Sequence, residues 1–518
     1  MPCIDLRFPL EGGRSRDDTR PMKQFRVGKD NNPVLIREIL CRRGYVDVDD
    51  HDVVDVRQDH AAGAIKQPAE DDEIDVAAPV VDAVPGAAPS APLSTQPRKD
   101  CSISAAAAPA TPHVQWGQNA FSIDYTPLRD QAMTTEDGAV FLANQIPGLD
   151  IGTKEGMLDA VRGHCTRAAT GRFPAWFLPT YAVTDVVKAG WQVEQVEKSR
   201  QGAEHDEDIW IYKSQVHNRG YGIEIFPSLD QARSALRKRT KCTRSTPSTK
   251  PRGILQRYCP NPMLLEKRKF DVRVFFLVAR VKPTVLCYAA ADFGKWSYVK
   301  RCLPEFDLEK LQEQARHVTN QRVQMKQWAE AQATPPGDTD DVEAGEREAE
   351  SATAKMLHHD YERQIKDALI CDLDTALEMQ DGEQEKSHNS SAGARGLAKE
   401  HVTSKLRTAL RDLGIIVREE LERSKRPAPF GCFQLFGCDF LIAEGASEVY
   451  LLEANRNPAL HTGCKVLRKL VPPLVAEAFR IVEEAHSPSF AGRAAKEGRG
   501  PPSEIFEQVD LDALLLCS

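Results

Sequence analysis

FQLFGCDFLIAEGASEVYLLEANRNP, residues 433–458, is the stretch that decides the fold. Residues 433–443 and 448–454 are rich in aromatic and β-branched side chains and read as two strands, joined by the hairpin-like turn Glu444-Gly445-Ala446-Ser447. Side chains alternate across a strand, so Glu453 and Asn455, two apart, share one face. Asp439 is a carboxylate inside an otherwise apolar strand, and pairing the strands brings Asp439, Glu453 and Asn455 together. Two carboxylates and one amide oxygen are hard ligands, suited to Mg2+ held jointly with nucleotide phosphates. The plainer alternative is a solvated hairpin with its acids outward. Phe436, Phe440, Leu451 and Leu452 argue against it, because they look core-like on both faces and unpaired acids among them are costly to bury.

Upstream, RKFDVRVFF (268–276) alternates Lys269, Asp271 and Arg273 with Phe270, Val272 and Val274. One face is a row of two cations and an anion and the other is apolar, as in a half-exposed strand. The charged row also suits a nucleotide, because phosphate oxygens take cations and a ribose hydroxyl takes a carboxylate acceptor. WIYKSQVHNRGYGIEIF (210–226) is a strand carrying Lys213, a polar loop, and Arg219-Gly220-Tyr221-Gly222. The glycines let backbone approach an anion closely. The spacing matches neither a P-loop nor a Rossmann fingerprint, and a strand–loop–strand turn explains it equally well. Residues 231–257 hold nine Lys/Arg and no Asp or Glu. That run fits either a solvated loop or a docking surface for an acidic polymer.

The whole chain has 518 residues, a formal charge of −8 and a pI near 6.0, which argues against a nucleic-acid coat protein. Its thirteen cysteines contain no Cys-x-x-Cys pair, which suits a reducing compartment and lacks zinc spacings. Cys432 and Cys438 read as small buried apolar residues, and His217 and His358-His359 as surface residues. No apolar run reaches the ~18 residues of a membrane span, and Met-Pro-Cys-Ile-Asp opens no signal peptide, so a cytoplasmic protein without membrane contact is expected. Residues 31–48 read as a capped helix ended by Gly44 and followed by a strand. Residues 59–112, dominated by Ala, Pro, Ser and Asp, read as a disordered insertion. Residues 329–353 are acidic and of low complexity, and helices are expected at about 354–371, 398–425 and 465–484, before a loose tail.

These constellations, in this order, resemble the tubulin-tyrosine-ligase-like family of ATP-grasp ligases. The matching runs are NQIPGLDIGTKEGML (144–158), FPAWFLP (173–179), WIYKSQVHNRGYGI, ILQRYCPNPMLLEKRKFDVRVFFLV (254–278), HVTN (317–320) and FGCDF…LLEANRNPAL. Ser214 stands where the family has proline after the lysine. The resemblance implies an α+β chain with an ATP-grasp fold: an N-terminal tail (1–20), a small α/β N-terminal domain (21–149), a central domain (150–255) with a basic loop at 231–252, and a C-terminal domain (256–485). That last domain would carry a disordered insertion at 329–397, and 486–518 would be a tail. By position, Lys213, Arg219 and Gly220 would hold ATP phosphates and Gln256, Arg257, Tyr258 and Cys259 would form the adenine hinge. Lys269, Phe270 and Asp271 would contact the nucleotide, with Arg273 at the transferred phosphoryl group. Thr319 and Asn320 would close over ATP, and Asp439, Glu453 and Asn455 would bind Mg2+.

The reaction implied is amide-bond formation between a glutamate side chain on an acidic tubulin tail and a free amino acid, through an acyl phosphate. The basic run suits that partner. Where glutamate-adding members carry arginines, CYAAADF (287–293) has Tyr288 and Phe293. Losing a cation that grips a carboxylate disfavours glutamate more than glycine. The runs HVTNQRVQ and ANRNPALHTGCKVLRKLVPPLV are most like the glycine-elongating, polyglycylase branch. Lys295 or Arg301 stands near enough in sequence to replace the missing charge. A polyglutamylase, a microtubule-binding relative with weakened turnover and a small-molecule ligase of the same fold remain the alternatives. The expected setting is the microtubule cytoskeleton, cilium or flagellum.

Overall fold

The computed structural model describes residues 23–28, 32–48, 113–117, 122–129, 140–188, 209–217, 220–241, 252–332, 363–387, 393–487, 490 and 499–512. The expected tail 1–20, the insertion 59–112, Arg219 and His358-His359 lie outside those residues.

β1 (Gln24–Val27) leads into α1 (Pro33–Arg42), which Asn32 caps through its side-chain oxygen on the Leu35 N–H, with Pro33 in the first turn. Gly44, at φ +82°, turns the chain into β2 (Val46–Asp47). With β3 (Val114–Trp116) and β4 (Leu142–Asn144) these strands form the parallel row β2-β1-β3-β4. α2 (Lys154–Arg167) starts at Thr153, whose hydroxyl accepts the Gly156 N–H. Next comes an antiparallel sheet in the order β5 (Thr180–Ala182), β8 (Gly253–Arg257), β6 (Trp210–Ser214), β7 (Ile223–Phe226), covered on one face by α3 (Leu229–Lys241).

The C-terminal part is built on β9 (Leu264–Leu265), β10 (Arg268–Arg280), β11 (Leu286–Ala290) and β12 (Tyr298–Arg301). Then follow α4 (Gln321–Gln332), β13 (Ile370–Asp372), α5 (Leu373–Ser387), α6 (Gly393–Arg423), β14 (Cys432–Ile442), β15 (Val449–Asn455), α7 (Lys465–His486) and β16 (Phe506–Gln508). Among the described residues, twelve strands join in one sheet whose main path is β13-β12-β10-β14-β4-β3-β1-β2. The N-terminal strands therefore share a sheet with the C-terminal part, through the parallel contact of β4 with β14. The class is α+β.

β10 is buried on both faces because both are covered. Val272, Val274, Phe276 and Val278 meet Leu406, Leu410 and Leu413 of α6, whereas Phe275, Leu277 and Ala279 meet Leu470, Leu474 and Phe479 of α7. Beyond Phe275, toward the start of the strand, the second face turns polar at Arg273, Asp271 and Lys269, all buried. A polar row continuing an apolar one along a single strand face sets the pocket at the end of the core.

Three expectations fail here. Much of the supposed basic loop 231–252 is α3: Leu229, Ala232 and Leu236 recur at helical spacing and bury against Trp210, Tyr212 and Leu255. Its arginines are turned to the protein, with Arg237 donating to the Val187 and Lys188 carbonyls and Arg239 clasping Glu224 at 2.6 Å through two nitrogens. The supposed disordered insertion 329–397 contains β13 and α5, because Ile365, Leu369, Ile370, Leu373, Ala376 and Leu377 supply buried apolar side chains. The tail 486–518 is not loose throughout: β16 pairs with β11, burying Phe506, and the Val509 N–H donates to the Cys287 carbonyl at 2.8 Å. Phe506→Ala should lower the unfolding free energy by about 3 kcal/mol, as for other buried aromatic truncations. A denaturant titration reads this, and an unmoved midpoint would mean the segment carries no packing.

Candidate functional site

Strand register assembles the pocket. On β10 and β14, Arg273 pairs directly with Asp439, and on β10 and β12, Asp271 pairs with Lys300. Arg273 donates from Nε to one Asp439 oxygen at 2.6 Å and from Nη2 to the other at 2.9 Å, a buried bidentate pair. Lys300 Nζ lies 3.2 Å from Asp271 and 3.1 Å from Asp439, bridging the two carboxylates. Burial pushes Asp439 up, but Arg273 and Lys300 overturn that and hold it below the usual carboxylate range. Asp271 is pushed up to about 6 by burial, which Lys300 only partly offsets. Lys300 was not singled out in the sequence. Its neighbours Lys295 and Arg301 were, yet Lys295 lies over the Trp296 ring and Arg301 pairs with Glu266 and donates to the Ala368 carbonyl.

β14 and β15 bring the remaining trio together as the alternation implied. Asp439 pairs with Glu453 and Gly437 with Asn455, with a bulge at Leu452. Asn455 Nδ2 stands 2.9 Å from Glu453 and 3.5 Å from Asp439. A weakly positive amide group thus occupies the place between two carboxylates where a cation would balance them. Turning the amide over presents Oδ1 there instead, so Asp439, Glu453 and Asn455 fit one divalent ion with three oxygen donors. Among the described residues no cluster of three His, Cys, Asp or Glu offers another site.

The bulge has a second consequence. Lys213 Nζ, on β6, donates to the Leu452 carbonyl at 3.3 Å and to Gln256 Oε1 at 2.9 Å, so a single buried ammonium links the two sheets. Gln256 in turn donates to Thr180 Oγ1 at 2.9 Å. Both ends of that amide are thereby engaged, which makes Gln256 a support for Lys213. Arg257 and Tyr258 direct their backbone N–H groups at the Pro179 and Ile209 carbonyls, while Cys259 and Phe270 are buried alongside. Burial lowers Lys213 to about 8, opposed by Glu453, and lowers Lys269 to about 8 as well.

Lys269 Nζ donates to the Tyr258 hydroxyl at 2.9 Å, which stands 3.0 Å from His317 Nδ1. His317 Nε2 faces the Lys310 carbonyl at 3.1 Å, which only accepts, so Nε2 carries the proton and Nδ1 accepts from Tyr258. Thr319 Oγ1 donates to Asp271. The HVTN segment is therefore fastened to the pocket at His317 and Thr319, and of the two only Thr319 was expected. Gly220, at φ +83°, lies against Asn320 and Val323, and its carbonyl accepts from Gln314 at 2.7 Å. The glycine loop and the HVTN segment thus close on one another. Tyr288 and Phe293 lie elsewhere: Tyr288 is sealed beneath the C-terminal segment, donating to the Pro501 carbonyl, and Phe293 is in the α6 core. Cys432 is buried and pushed up to about 12, as an apolar residue would be.

The sequence profile of the tubulin-tyrosine ligase family matches residues 181–381 and 373–489, which contain Lys213, Lys269, Asp271, Arg273, Lys300, Asp439, Glu453 and Asn455. This chain belongs to the tubulin-tyrosine ligase family. Its relatives include the human protein named Inactive polyglycylase TTLL10, 29% identical over 293 residues that make up 55% of this chain and 36% of the relative. The rat Protein polyglycylase TTLL10 is 27% identical over 347 residues, 64% of this chain and 43% of the relative. Tubulin glycylase 3B of Drosophila melanogaster is 23% identical over 296 residues, 57% of this chain and 32% of the relative. The chain thus spans less than half of the length of these relatives. No helix of the described residues is long and apolar enough to cross a membrane.

Burial lowers His317 to about 4, with the Lys310 carbonyl opposing. A histidine whose folded pKa lies below its unfolded value near 6.5 binds fewer protons when folded, so its contribution is present above that value and lost as pH falls toward 4. His317→Asn should therefore flatten part of the acid limb of stability between about pH 6.5 and 4. Thermal melts of both proteins across that window test it, and parallel curves would contradict the buried neutral tautomer.

Proposed function

We propose that this chain is an ATP- and Mg2+-dependent ligase that joins an amino acid, preferentially glycine, to glutamate side chains on the acidic tail of tubulin or a similar protein, a polyglycylase. The observation that carries this reading is the cross-strand cluster at the junction of two sheets, with Arg273, Asp271 and Asp439 buried and Lys300, Asn455 and Glu453 beside them toward solvent. With Lys213 and Lys269, four cations face three carboxylates, and that excess suits a polyphosphate.

In this reading Lys213, Lys269 and the Gly220 loop, with Arg219, hold the ATP phosphates. Residues 256–259 with Phe270 flank the adenine, Asp271 takes the ribose side, and Thr319 and Asn320 close the pocket. Asp439, Glu453 and Asn455 hold Mg2+, which when bound offsets phosphate charge and orients the terminal phosphoryl group. The acceptor glutamate's carboxylate oxygen attacks the γ-phosphorus, the bond to the β-phosphate oxygen breaks, and ADP leaves with that electron pair. The amino group of the incoming residue then attacks the acyl carbon. The carbon–oxygen bond to phosphate breaks, inorganic phosphate leaves, and the amine gives up its proton. In the same reading Arg273 and Lys300 stabilise charge building on the transferred group.

The choice of glycine is supported by the pairing of a nearby cation. Arg301 is engaged with Glu266 and the Ala368 carbonyl, so it does not serve a second, side-chain carboxylate as glutamate would require. The names of the relatives point the same way. One observation favours a second reading, a nucleotide-binding relative without turnover: the human relative, named inactive, is 29% identical, against 27% for the rat protein named a polyglycylase.

Incubation with tubulin, MgATP and labelled glycine or glutamate separates these. Incorporation of glycine above glutamate is expected, and Lys300→Met should reduce it by at least about a hundredfold, in the range seen when one charge-stabilising donor is removed. Nucleotide binding without incorporation of either amino acid would establish the second reading, and faster glutamate transfer would make the chain a polyglutamylase.

A further inference from the structure

Ser214 closes β6, one residue after Lys213, and His217 follows in the turn that leads to β7. Neither belongs to the residues assigned above. Side chains alternate along a strand, so Ser214 lies on the face of Trp210 and Tyr212, which pack against α3, and away from the face of Lys213. Ser214 is only 4% exposed, and its hydroxyl stands 2.9 Å from Nδ1 of His217. His217 is exposed, as its sequence context suggested, yet its ring is folded back across the turn onto the strand.

The backbone is shaped for that contact. The Ser214 N–H donates to the Gly222 carbonyl at 3.1 Å, on the far side of the turn, and the Gln215 N–H donates to the Arg252 carbonyl at 3.0 Å. Gly222 sits at φ +66°, and a Cβ there would come within 2.8 Å of Ser214 Cβ and 2.9 Å of His217 Nδ1. The missing side chain is the space in which hydroxyl and imidazole meet. A proline at 214, the residue the family resemblance led us to expect, has neither an N–H nor a hydroxyl and could make neither bond. This chain thus exchanges a ring that stiffens the backbone for two hydrogen bonds that tie the turn to its own root. Lys213 and Gly220 lie on either side of the pair in sequence, so whatever holds the turn also sets where both stand relative to the pocket.

We propose that Ser214 and His217 are positioning residues, their hydrogen bond a latch that keeps the turn between β6 and β7 in the shape that presents Lys213 and Gly220 to a triphosphate. Order set before the ligand arrives lowers the cost of binding it. This rests on the ATP reading above. Calorimetry of the full chain with MgATP, and amide hydrogen exchange of the nucleotide-free chain, test it on wild type, Ser214→Ala, His217→Ala, the double variant and His217→Asn. Each alanine should weaken MgATP binding by about three- to tenfold, the range of one neutral hydrogen bond, and should speed exchange across residues 214–217. The double variant should bind no more weakly than the worse single one, because the two residues share one interaction. His217→Asn, whose amide offers an oxygen or a nitrogen at the reach of Nδ1, should stay within about twofold of wild type, a rescue that an acid–base role for the imidazole would not allow. Unchanged affinity and exchange in both alanine variants overturn the proposal. So do losses that multiply in the double variant, or an asparagine variant as weak as the alanine one. If wild type binds no MgATP, the ATP reading itself falls, and the exchange rates of the nucleotide-free variants still decide whether the latch exists.

Discussion

The bidentate pair of Arg273 with Asp439 sets the geometry on which the rest depends, because the two residues are also direct partners in the β10–β14 register. Two charges buried this deeply are tolerated only when each satisfies the other, and losing one partner leaves an uncompensated ion. The strands therefore cannot slide without separating the pair. A slip of one residue would turn Arg273 and Asp271 into the α6 core and Val272 and Val274 into the pocket. The same register aligns Lys300 across Asp271 and Glu453 across Asp439, so one constraint places charged groups from four strands.

What the sequence made legible follows from this period of two. Lys269, Asp271 and Arg273 could be placed on one face, and Glu453 and Asn455 on another, because strand alternation is local and independent of partners. The family resemblance then ordered those faces around one pocket. Lys300 escaped notice because β12 is four residues long and its alternation is too short to stand out. His317 escaped for another reason: its role lies in a tautomer fixed by Tyr258 and the Lys310 carbonyl, partners distant in the sequence.

The misread segments share one cause, the weight given to composition over spacing. In 231–241 the density of Lys and Arg suggested solvent, although Leu229, Ala232 and Leu236 already carried a buried stripe. Arginine stems cover apolar surface while their heads reach carbonyls, so a basic helix can be a structural one. β16 shows the converse: only three residues long, it orders because β11 offers an open edge and Phe506 a ring for the core beneath. No local pattern marks such a strand.

The two sheets meet through a polar contact, and that shapes how the pocket can respond. Lys213 belongs to the small antiparallel sheet, yet its ammonium reaches the carbonyl exposed by the Leu452 bulge on the large one. The contact is a charge-assisted hydrogen bond to a neutral acceptor, weaker than a pairing with a carboxylate. A phosphate oxygen competes well against such a carbonyl, whereas it would compete poorly against Asp439 for Arg273. The fixed part of the pocket is therefore the set of ion pairs on the large sheet, and the adjustable part is the lysine and glycine loop on the small one. An anion that draws Lys213 from Leu452 also pulls on Gln256 and, through it, on Thr180.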